Sequence, residues 1–532
     1  MKKNLFLLGL ILILAAILRF WHISQNPPSL YWDEVSLGYN AYSILKTGRD
    51  EHGKFLPFTN FAAFGDYKPP GYIYAAVPAV AVFDLNEFSV RFPSALFGVL
   101  TVLIAYFVTR KIFENEKIAL FAAFFLAISP WHIQFSRGAF EANVGLFFSS
   151  LGIYLFFKFA KDNKIYLLFS ALSFIAAIYA FTGQRLFVPL IVIILLVQFR
   201  KEIFSNLKIV VITGVISAIL FWPLFRFVTG TIEGKLRFNE VTIFKDLDPI
   251  NQSIVYRQGD NFSLWSNLIH NRRLYYLNEY LSGYFDAFSP TFLFTRGDVN
   301  PRLSIQGIGE LYYFDILLVL AGIYFLFAKK HKYSLFILSW LLVSPLGPAT
   351  ARETPHALRM IYILPTYQIL SAVGIYYICK YLNFKKTVVL IPSIIVLFLF
   401  YYLHMYYVHW PINYSDQWQY GYKETVETIK EYYVQVDNVI VTKSQGRPYV
   451  YFLFFMKYDP NLYQKVSDVE RDEQFFLHVK SFDKFVFIDT EPGPVKQNSL
   501  YVLSPNNLPE GATRVKTIYN LEGNPVFDIG IL

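Results

Sequence analysis

The stretch that decides the fold is SLYWDEVSLGYNAYSI, residues 29–44. It follows a hydrophobic run at residues 4–23 that is preceded by two lysines and is long enough to cross a bilayer. The lysines predict a cytoplasmic N-terminus, because short cytoplasmic segments are enriched in basic residues. The adjacent carboxylates Asp33 and Glu34 are therefore expected on the opposite face. Charges at a membrane edge are costly, so a cation, a proton or a nucleophile is expected beside them, with a plain acidic loop as the alternative.

The composition indicates a polytopic α-helical membrane protein. Of 532 residues, 55% are hydrophobic and 16% are charged, and the mean hydropathy is +0.36. No small-residue cleavage site follows the first run, which predicts an uncleaved anchor. The only cysteine, Cys379, excludes an intramolecular disulfide and a cysteine-based metal site.

The apolar runs predict about eleven membrane spans of suitable length. They lie at residues 4–23, 91–110, 118–135, 142–160, 165–182, 186–200, 208–226, 311–328, 333–346, 357–379 and 387–406. Alternate loops, such as RKIFENEK and AKKHK, each hold three Lys or Arg residues, so they are expected in the cytoplasm with the N-terminus. This pattern explains the net charge of +9 without nucleic-acid binding. It predicts Lys330 and Lys385 inside, and Glu353 and Asp459 outside.

The remaining segments define two outer loops and a second domain. Residues 71–83 are apolar but too short to cross, so they predict a juxtamembrane helix within an outer loop at 24–90. A long outer loop is expected at 227–310. The sequence thus predicts a transmembrane domain at 1–406 and an extracytoplasmic α/β domain at 407–532, whose function as an acceptor-binding domain or as a structural cap stays open.

Several unusual polar residues fall on the predicted outer face. They include both carboxylates and cations at or near span boundaries: Asp33, Glu34, Lys68, Arg137, Glu141, Arg185, His356 and Arg359. Arg137 and Arg185 could instead reach lipid phosphates from within a span. Taken together, carboxylates and cations on one face indicate a site for an anionic, lipid-borne substrate.

Five motifs in this order carry a family resemblance: YWDEVSLGYNA, KPPGYIY, FSVRFPSALFGVL, SPWHIQFSRGAFEAN and PHALR. The chain resembles the GT-C glycosyltransferases, specifically the group of protein O-mannosyltransferases and aminoarabinose lipid A transferases known as glycosyltransferase family 39. Asp33 stands at the position of the group's essential aspartate. Glu141 stands where the group carries a second acidic residue, often Asp.

The resemblance implies a GT-C fold in the cytoplasmic (plasma) membrane, with an active site on the extracytoplasmic face. It implies transfer of a sugar from a polyprenyl-phosphate donor to a hydroxyl of a glycan, lipid or protein. In glycosyl transfer a carboxylate can take the proton of the acceptor hydroxyl or hold that hydroxyl in line, and cations stabilise the departing phosphate. These roles are assigned to catalytic residues Asp33, Glu34 (in support) and Glu141, and to phosphate-binding residues Lys68, Arg137, Arg185, His356 and Arg359.

The same residues leave open whether the protein binds a metal ion and whether it is an enzyme or a transporter. Asp33 and Glu141 could share a divalent cation, since hard cations prefer oxygen ligands. No nucleotide cofactor is expected, because Walker A and GxGxxG motifs are absent. The alternative function is a transporter or flippase of polyprenyl-linked sugars. Against it, the sequence has no internal repeat and no matching pair of Gly/Pro-broken helices.

Overall fold

The computed structural model describes residues 2–382, 387–472 and 476–532. The predicted cytoplasmic Lys385 lies outside these ranges. The contacts divide the chain into two compact units. The first unit comprises residues up to Leu18, Gly98–Gln134 and Ala142–Leu399, and the second comprises Arg19–Phe97, Phe135–Glu141 and Phe400–Leu532.

Helices make up most of the described chain. Those of the N-terminal half are α1 (Lys2–Phe20), α2 (Trp32–Thr47), α3 (Pro70–Phe83), α4 (Glu87–Phe113), α5 (Glu116–Ile128), α6 (Pro130–Arg137), α7 (Glu141–Lys161), α8 (Tyr166–Ala180), α9 (Gln184–Gln198), α10 (Arg200–Phe204), α11 (Leu207–Gly230), α12 (Ile232–Val241) and α13 (Asp248–Gly259). They continue with α14 (Leu264–Ile269), α15 (Arg272–Asp286), α16 (Tyr313–Ala328), α17 (Ser334–Val343), α18 (Ala357–Met360), α19 (Thr366–Leu382), α20 (Thr387–His404), α21 (Trp410–Asn413), α22 (Tyr422–Tyr432), α23 (Pro448–Phe455) and α24 (Pro460–Val466).

Helical segments occupy every predicted span. Among the described residues, five helices are long and apolar enough to cross a membrane, or seven if each of two bent pairs counts as one span. The bends are 56° between α5 and α6, and 52° between Ala357–Ile363 and Thr366–Tyr381. Four further predicted spans correspond to shorter apolar helices or segments: α8, α9, α16 and residues 334–350. The membrane helical core is thus present, whereas eleven spans and their orientation stay predictions.

Glycines permit close packing of helices α16 and α19 in the first unit. A Cβ atom on Gly322 of α16 would collide with the backbone carbonyl of Leu370, and one on Gly374 of α19 would collide with that of Leu318. The two helices therefore touch backbone to backbone, an approach that small residues permit in membrane helix pairs.

Every strand among the described residues belongs to the second unit. A hairpin joins β1 (Phe61–Ala63) to β2 (Asp66–Lys68) with Phe61 opposite Lys68. A seven-stranded sheet has the order β4-β5-β6-β3-β7-β9-β8. Its strands are β3 (Asn438–Thr442), β4 (Asp468–Arg471), β5 (Leu477–Phe482), β6 (Phe485–Ile488), β7 (Ser499–Leu503), β8 (Thr513–Tyr519) and β9 (Pro525–Ile531).

This sheet confirms the α/β character predicted after residue 407. Central β3 pairs in parallel with β6 and β7, and the other pairs are antiparallel. The apolar run at 449–456 forms α23, which is buried within this unit as predicted rather than forming another span. Residues 400–532 form one compact unit with residues 19–97 and 135–141, whereas the sequence-based division at residue 407 stays a prediction.

Candidate active site

Asp33 lies in the first turn of α2, where its side chain is 31% exposed. One of its oxygens accepts a hydrogen bond from the ammonium group of Lys68, whose side chain is only 4% exposed. Lys68 ends β2, so the hairpin places it there across 35 positions of sequence. The Lys68 nitrogen also lies 5.5 Å from the centroid of the Phe64 ring. Two residues that the sequence analysis named separately thus form one ion pair.

Glu34 is fully buried, and its carboxylate has four hydrogen-bond donors. Arg91 donates from Nε to Oε1 and from Nη2 to Oε2, both at 2.9 Å. The backbone N–H groups of Ala139 and Tyr31 donate at 2.7 and 3.3 Å. A carboxylate with this many partners is well compensated for its burial. Glu34 therefore holds the start of α2 in place, and its supporting role in catalysis stays a prediction.

Arg91 is a residue of the site that the sequence analysis did not single out. Besides binding Glu34, its guanidinium donates to the carbonyls of Ile23 at 2.9 Å, Pro27 at 2.8 Å and Ser29. It is fully buried in α4. The sequence did contain a signal for this residue: Arg91 is a lone arginine in the apolar stretch FSVRFPSALFGVL, and a charge buried there needs a partner.

Arg137 is also fully buried, at the end of α6. Its Nη2 donates to the carbonyls of Trp21 at 2.7 Å and Asn26 at 2.8 Å, and its Nε donates to the Tyr406 hydroxyl at 3.1 Å. In this state the guanidinium ties the segment after α1 to the segment that follows α20. Its predicted contact with a donor phosphate stays a prediction.

Glu141 begins α7, where a carboxylate is favoured by the helix dipole. It follows a tight turn at Gly138, where a Cβ atom would lie 2.6 Å from the Phe140 ring. Ala139 in that turn donates to Glu34. Asp33 and Glu141 therefore each stand within two residues of the same buried hydrogen-bond network.

The other predicted cations belong to the first unit. His356 precedes α18, with its Nε2 3.9 Å from a Glu353 oxygen, and the Nη2 of Arg359 lies 3.4 Å from the same oxygen. Arg185 is the second residue of α9 and is half-buried. The structure thus groups Asp33, Glu34, Lys68, Arg137 and Glu141 in the second unit, and Arg185, His356 and Arg359 in the first.

A buried carboxylate pair beside His356 was missed by the sequence analysis. Asp298 accepts from the Ala357 N–H at 2.7 Å, and its own N–H donates to Glu310 at 3.1 Å. One Asp298 oxygen lies 3.9 Å from the Nδ1 atom of His356. Burial raises the pKa of Asp298 to about 6 and raises that of Glu310 well above its usual value. These carboxylates fix the loop that carries the PHALR segment.

The described residues do not form a ready metal site. They contain no group of three or more His, Cys, Asp or Glu side chains with suitable spacing. An oxygen of Asp33 also faces the Lys68 ammonium, which would repel a cation bound there. In this arrangement Asp33 is already paired to a cation, and a divalent ion shared by Asp33 and Glu141 stays a prediction.

Known proteins share both sequence and fold with this chain. Residues 67–226 match the family described as dolichyl-phosphate-mannose-protein mannosyltransferase. The crystal structure of ArnT from Cupriavidus metallidurans bound to undecaprenyl phosphate superposes with a TM-score of 0.55 at 11% identity, covering 98% of this chain and 97% of that one. The Archaeoglobus fulgidus oligosaccharyltransferase in complex with Zn and sulfate gives a TM-score of 0.50 at 14% identity, over 84% and 61% of the two chains.

The match to the mannosyltransferase family and the fold shared with ArnT confirm the resemblance to the GT-C glycosyltransferases. An uncharacterized protein from Aquifex aeolicus is 35% identical over 157 residues, 29% of this chain and 35% of its own length. A second one from the same organism is 29% identical over 174 residues, 32% of each chain. The chain thus covers about a third of the length of the curated relatives it matches. The matched family segment begins just before Lys68 and includes Arg91, Arg137 and Glu141, while Asp33 precedes it.

Proposed function

We propose that the chain is a membrane glycosyltransferase that moves a sugar from a polyprenyl-phosphate donor to an acceptor hydroxyl on the outer face of the membrane. The observation that carries this proposal is the partly exposed Asp33, ion-paired to Lys68 and anchored by the buried Glu34–Arg91 pair. The match to the mannosyltransferase family and the fold shared with ArnT support it. The acceptor is a glycan, lipid or protein that presents a hydroxyl.

In this mechanism the acceptor oxygen attacks the anomeric carbon of the sugar. The new C–O bond forms as the bond from that carbon to the phosphate oxygen breaks, so the lipid leaves as a polyprenyl phosphate. Asp33 orients the acceptor hydroxyl and takes its proton. Its side chain is 31% exposed, so a substrate can reach it.

Lys68 has two functions in this proposal. An ammonium group has three N–H donors, so it can keep Asp33 oriented while it also contacts the donor phosphate. As the sugar departs, negative charge builds on that phosphate, and a preorganised cation stabilises it more in the transition state than in the ground state. The low exposure of Lys68 strengthens this contact by excluding water.

The other predicted site residues and the membrane topology are also part of the proposal. Glu141 serves as the second carboxylate and orients the acceptor. Arg137, Arg185, His356 and Arg359 are the further cations for the anionic donor. The chain is proposed to lie in the cytoplasmic membrane with eleven spans, an inside N-terminus and an outside C-terminal domain. A divalent ion shared by Asp33 and Glu141 stays a prediction, for which chelation of the purified protein is the test.

The experiment uses purified full-length protein with a panel of polyprenyl-phosphate sugars. Sugar release to an acceptor is expected for at least one donor, whereas movement of the intact lipid without release would indicate a flippase. Asp33→Asn should bind donor normally but lose turnover by ~10²-fold or more, since asparagine cannot accept the proton. Glu141→Gln should also be severe. At saturating donor a pure binding defect disappears, so a near-normal rate for Asp33→Asn would refute the mechanism.

A further inference from the structure

The C-terminal segment contributes a turn beside the candidate catalytic residue. Strand β3 leads through residues 443–447 into α23. Gly446 in this turn has a φ of +104°, and a Cβ atom there would lie 2.5 Å from Cζ3 of Trp32, the residue before Asp33. Only glycine permits this backbone conformation and this approach without strain. The turn therefore packs directly against the start of α2.

Helices α2 and α23 run side by side in the same direction. Gly446, just before α23, contacts Trp32, and farther along, a Cβ atom on Gly38 of α2 would collide with Phe454 of α23. Contacts that advance along both helices together show that the two helices run in the same sense. The N-terminal ends of the two helices, with Asp33 on one and Arg447 at the start of the other, consequently lie at the same end of the pair.

Arg447 and Lys68 also share an aromatic neighbour. The Cζ atom of Arg447 and the Nζ atom of Lys68 each lie 5.5 Å from the centroid of the Phe64 ring. The two cations are thus at most about 11 Å apart.

The two cations differ in their carboxylate partners. Lys68 is buried against Asp33, which compensates its charge. Arg447 is half-buried, and none of the ion pairs formed within the described parts of the chain includes it. Lys443, on the same turn, is paired to Asp489 at 2.9 Å. The uncompensated positive charge of this turn therefore rests on Arg447, whose planar guanidinium matches a phosphate in bidentate geometry.

We propose that Arg447 binds a phosphate group of the substrate beside Asp33, so that the C-terminal segment is part of the active site rather than a cap. The nature of this ligand rests on the proposed function. The phosphate can come from the polyprenyl donor or from a phosphorylated acceptor, and both present the same group to the guanidinium. Electrostatic attraction predicts that salt weakens the contact.

The test compares Arg447→Gln and Arg447→Lys with the control Lys443→Gln, which removes one charge from the same turn. The first measurement is binding of undecaprenyl phosphate to the purified full-length protein. If the phosphate that Arg447 binds belongs to the donor, Arg447→Gln should bind undecaprenyl phosphate at least tenfold more weakly than the wild type. Arg447→Lys should recover part of this loss, and the affinity of the Lys443→Gln control should stay within twofold of the wild type. Thermal unfolding of each variant verifies that it is folded.

The second measurement is the KM for an alkyl glucoside and for its phosphorylated analogue as acceptors. If the acceptor is the source, Arg447→Gln should raise the KM of the phosphorylated acceptor alone by tenfold. Wild-type behaviour of Arg447→Gln in both measurements, or an equal loss in Lys443→Gln, would overturn the proposal. Should Arg447→Gln fail to fold, unchanged values for Arg447→Lys would overturn it. Binding needs no turnover, so a wild type that binds lipid through Arg447 but transfers no sugar would refute only the proposed transferase function.

Discussion

Replacing Arg91 by methionine tests the network that holds Asp33 in place. Methionine keeps most of the aliphatic length but removes the guanidinium, which donates to Glu34 and to the carbonyls of Ile23, Pro27 and Ser29. The variant leaves a fully buried carboxylate without its cation. Breaking a buried ion pair by removing one partner costs about 3–5 kcal/mol, so the free energy of unfolding should fall by that amount.

The same helix offers a matched control. Arg110 of α4 pairs with Glu116 at 3.0 Å, but these side chains are 48% and 27% exposed. Solvent screens such a pair, so Arg110→Met should cost less than about 1 kcal/mol. Replacing Glu34 and Arg91 together by leucine and methionine should cost less than the sum of the single changes, because neither charge is then left alone.

The assay is reversible unfolding of the purified protein in mild detergent, driven by added sodium dodecyl sulfate and followed by circular dichroism. Equal losses for Arg91→Met and Arg110→Met would refute the reasoning. If the double variant lost as much free energy of unfolding as the sum of the two single variants, the Glu34–Arg91 interaction would likewise not be the source of the destabilisation.

The remaining predictions concern donor binding, pH and topology. Lys68→Met should weaken donor binding by about 1–3 kcal/mol, measured by titration with undecaprenyl phosphate, and unchanged affinity would assign Lys68 to packing. Because burial raises the pKa of Asp298 to about 6, the folded protein retains a proton that the unfolded chain releases. The free energy of unfolding should therefore fall by up to about 3 kcal/mol as pH rises from about 4 to about 6. Asp298→Asn should flatten that dependence in unfolding curves, and an unchanged slope would contradict it. With Cys379 replaced, an impermeant thiol reagent should label Glu353→Cys in intact cells but not Lys330→Cys, and the reverse result would overturn the predicted orientation.

The helical core was predictable from the sequence because a bilayer requires long apolar runs. Its bends were not, because hydropathy averages over a whole window. The run at 118–135 reads as one span, yet Pro130 starts a new helix after Ser129, at a bend of 56°. Proline has no N–H to continue the preceding helix, and it is favoured in the first turn of the next one.

The α/β region was predictable for a different reason. The short apolar segments at 438–443 and 499–505 have strand character, and a turn at Gly523 separates the last two strands. The order of the strands could not be derived, since β3 pairs with β6 and β7 across intervals of more than forty residues. Nor could the sequence show that Gly446 rests on Trp32, because that contact depends on the packing of α23 against α2.

Individual residues of the candidate site could be named from the sequence, but the pairs that they form could not. Asp33 and Lys68 were both named, and only the β1–β2 hairpin brings them together. Asp298 was hidden in a long loop with many charges, where nothing in the spacing separates a buried carboxylate from a solvated one. Its burial follows from the Ala357 N–H and Glu310, which are 59 and 12 positions away.

Arginines near span ends show why a sequence cannot separate structural from substrate-binding cations. The segment from Trp21 to Ser29 lies outside regular helices and strands, so its buried carbonyls need donors from elsewhere. Arg91 and Arg137 supply them from two different helices. An arginine that binds a substrate phosphate would also lie near the end of a span, with the same flanking apolar residues. The difference lies in whether backbone carbonyls or solvent surround the guanidinium. Arg91 and Arg137 are fully buried against carbonyls, whereas Arg447 is half-buried in a turn without apolar periodicity. Of these three arginines, Arg447 is therefore the best placed to bind an anion.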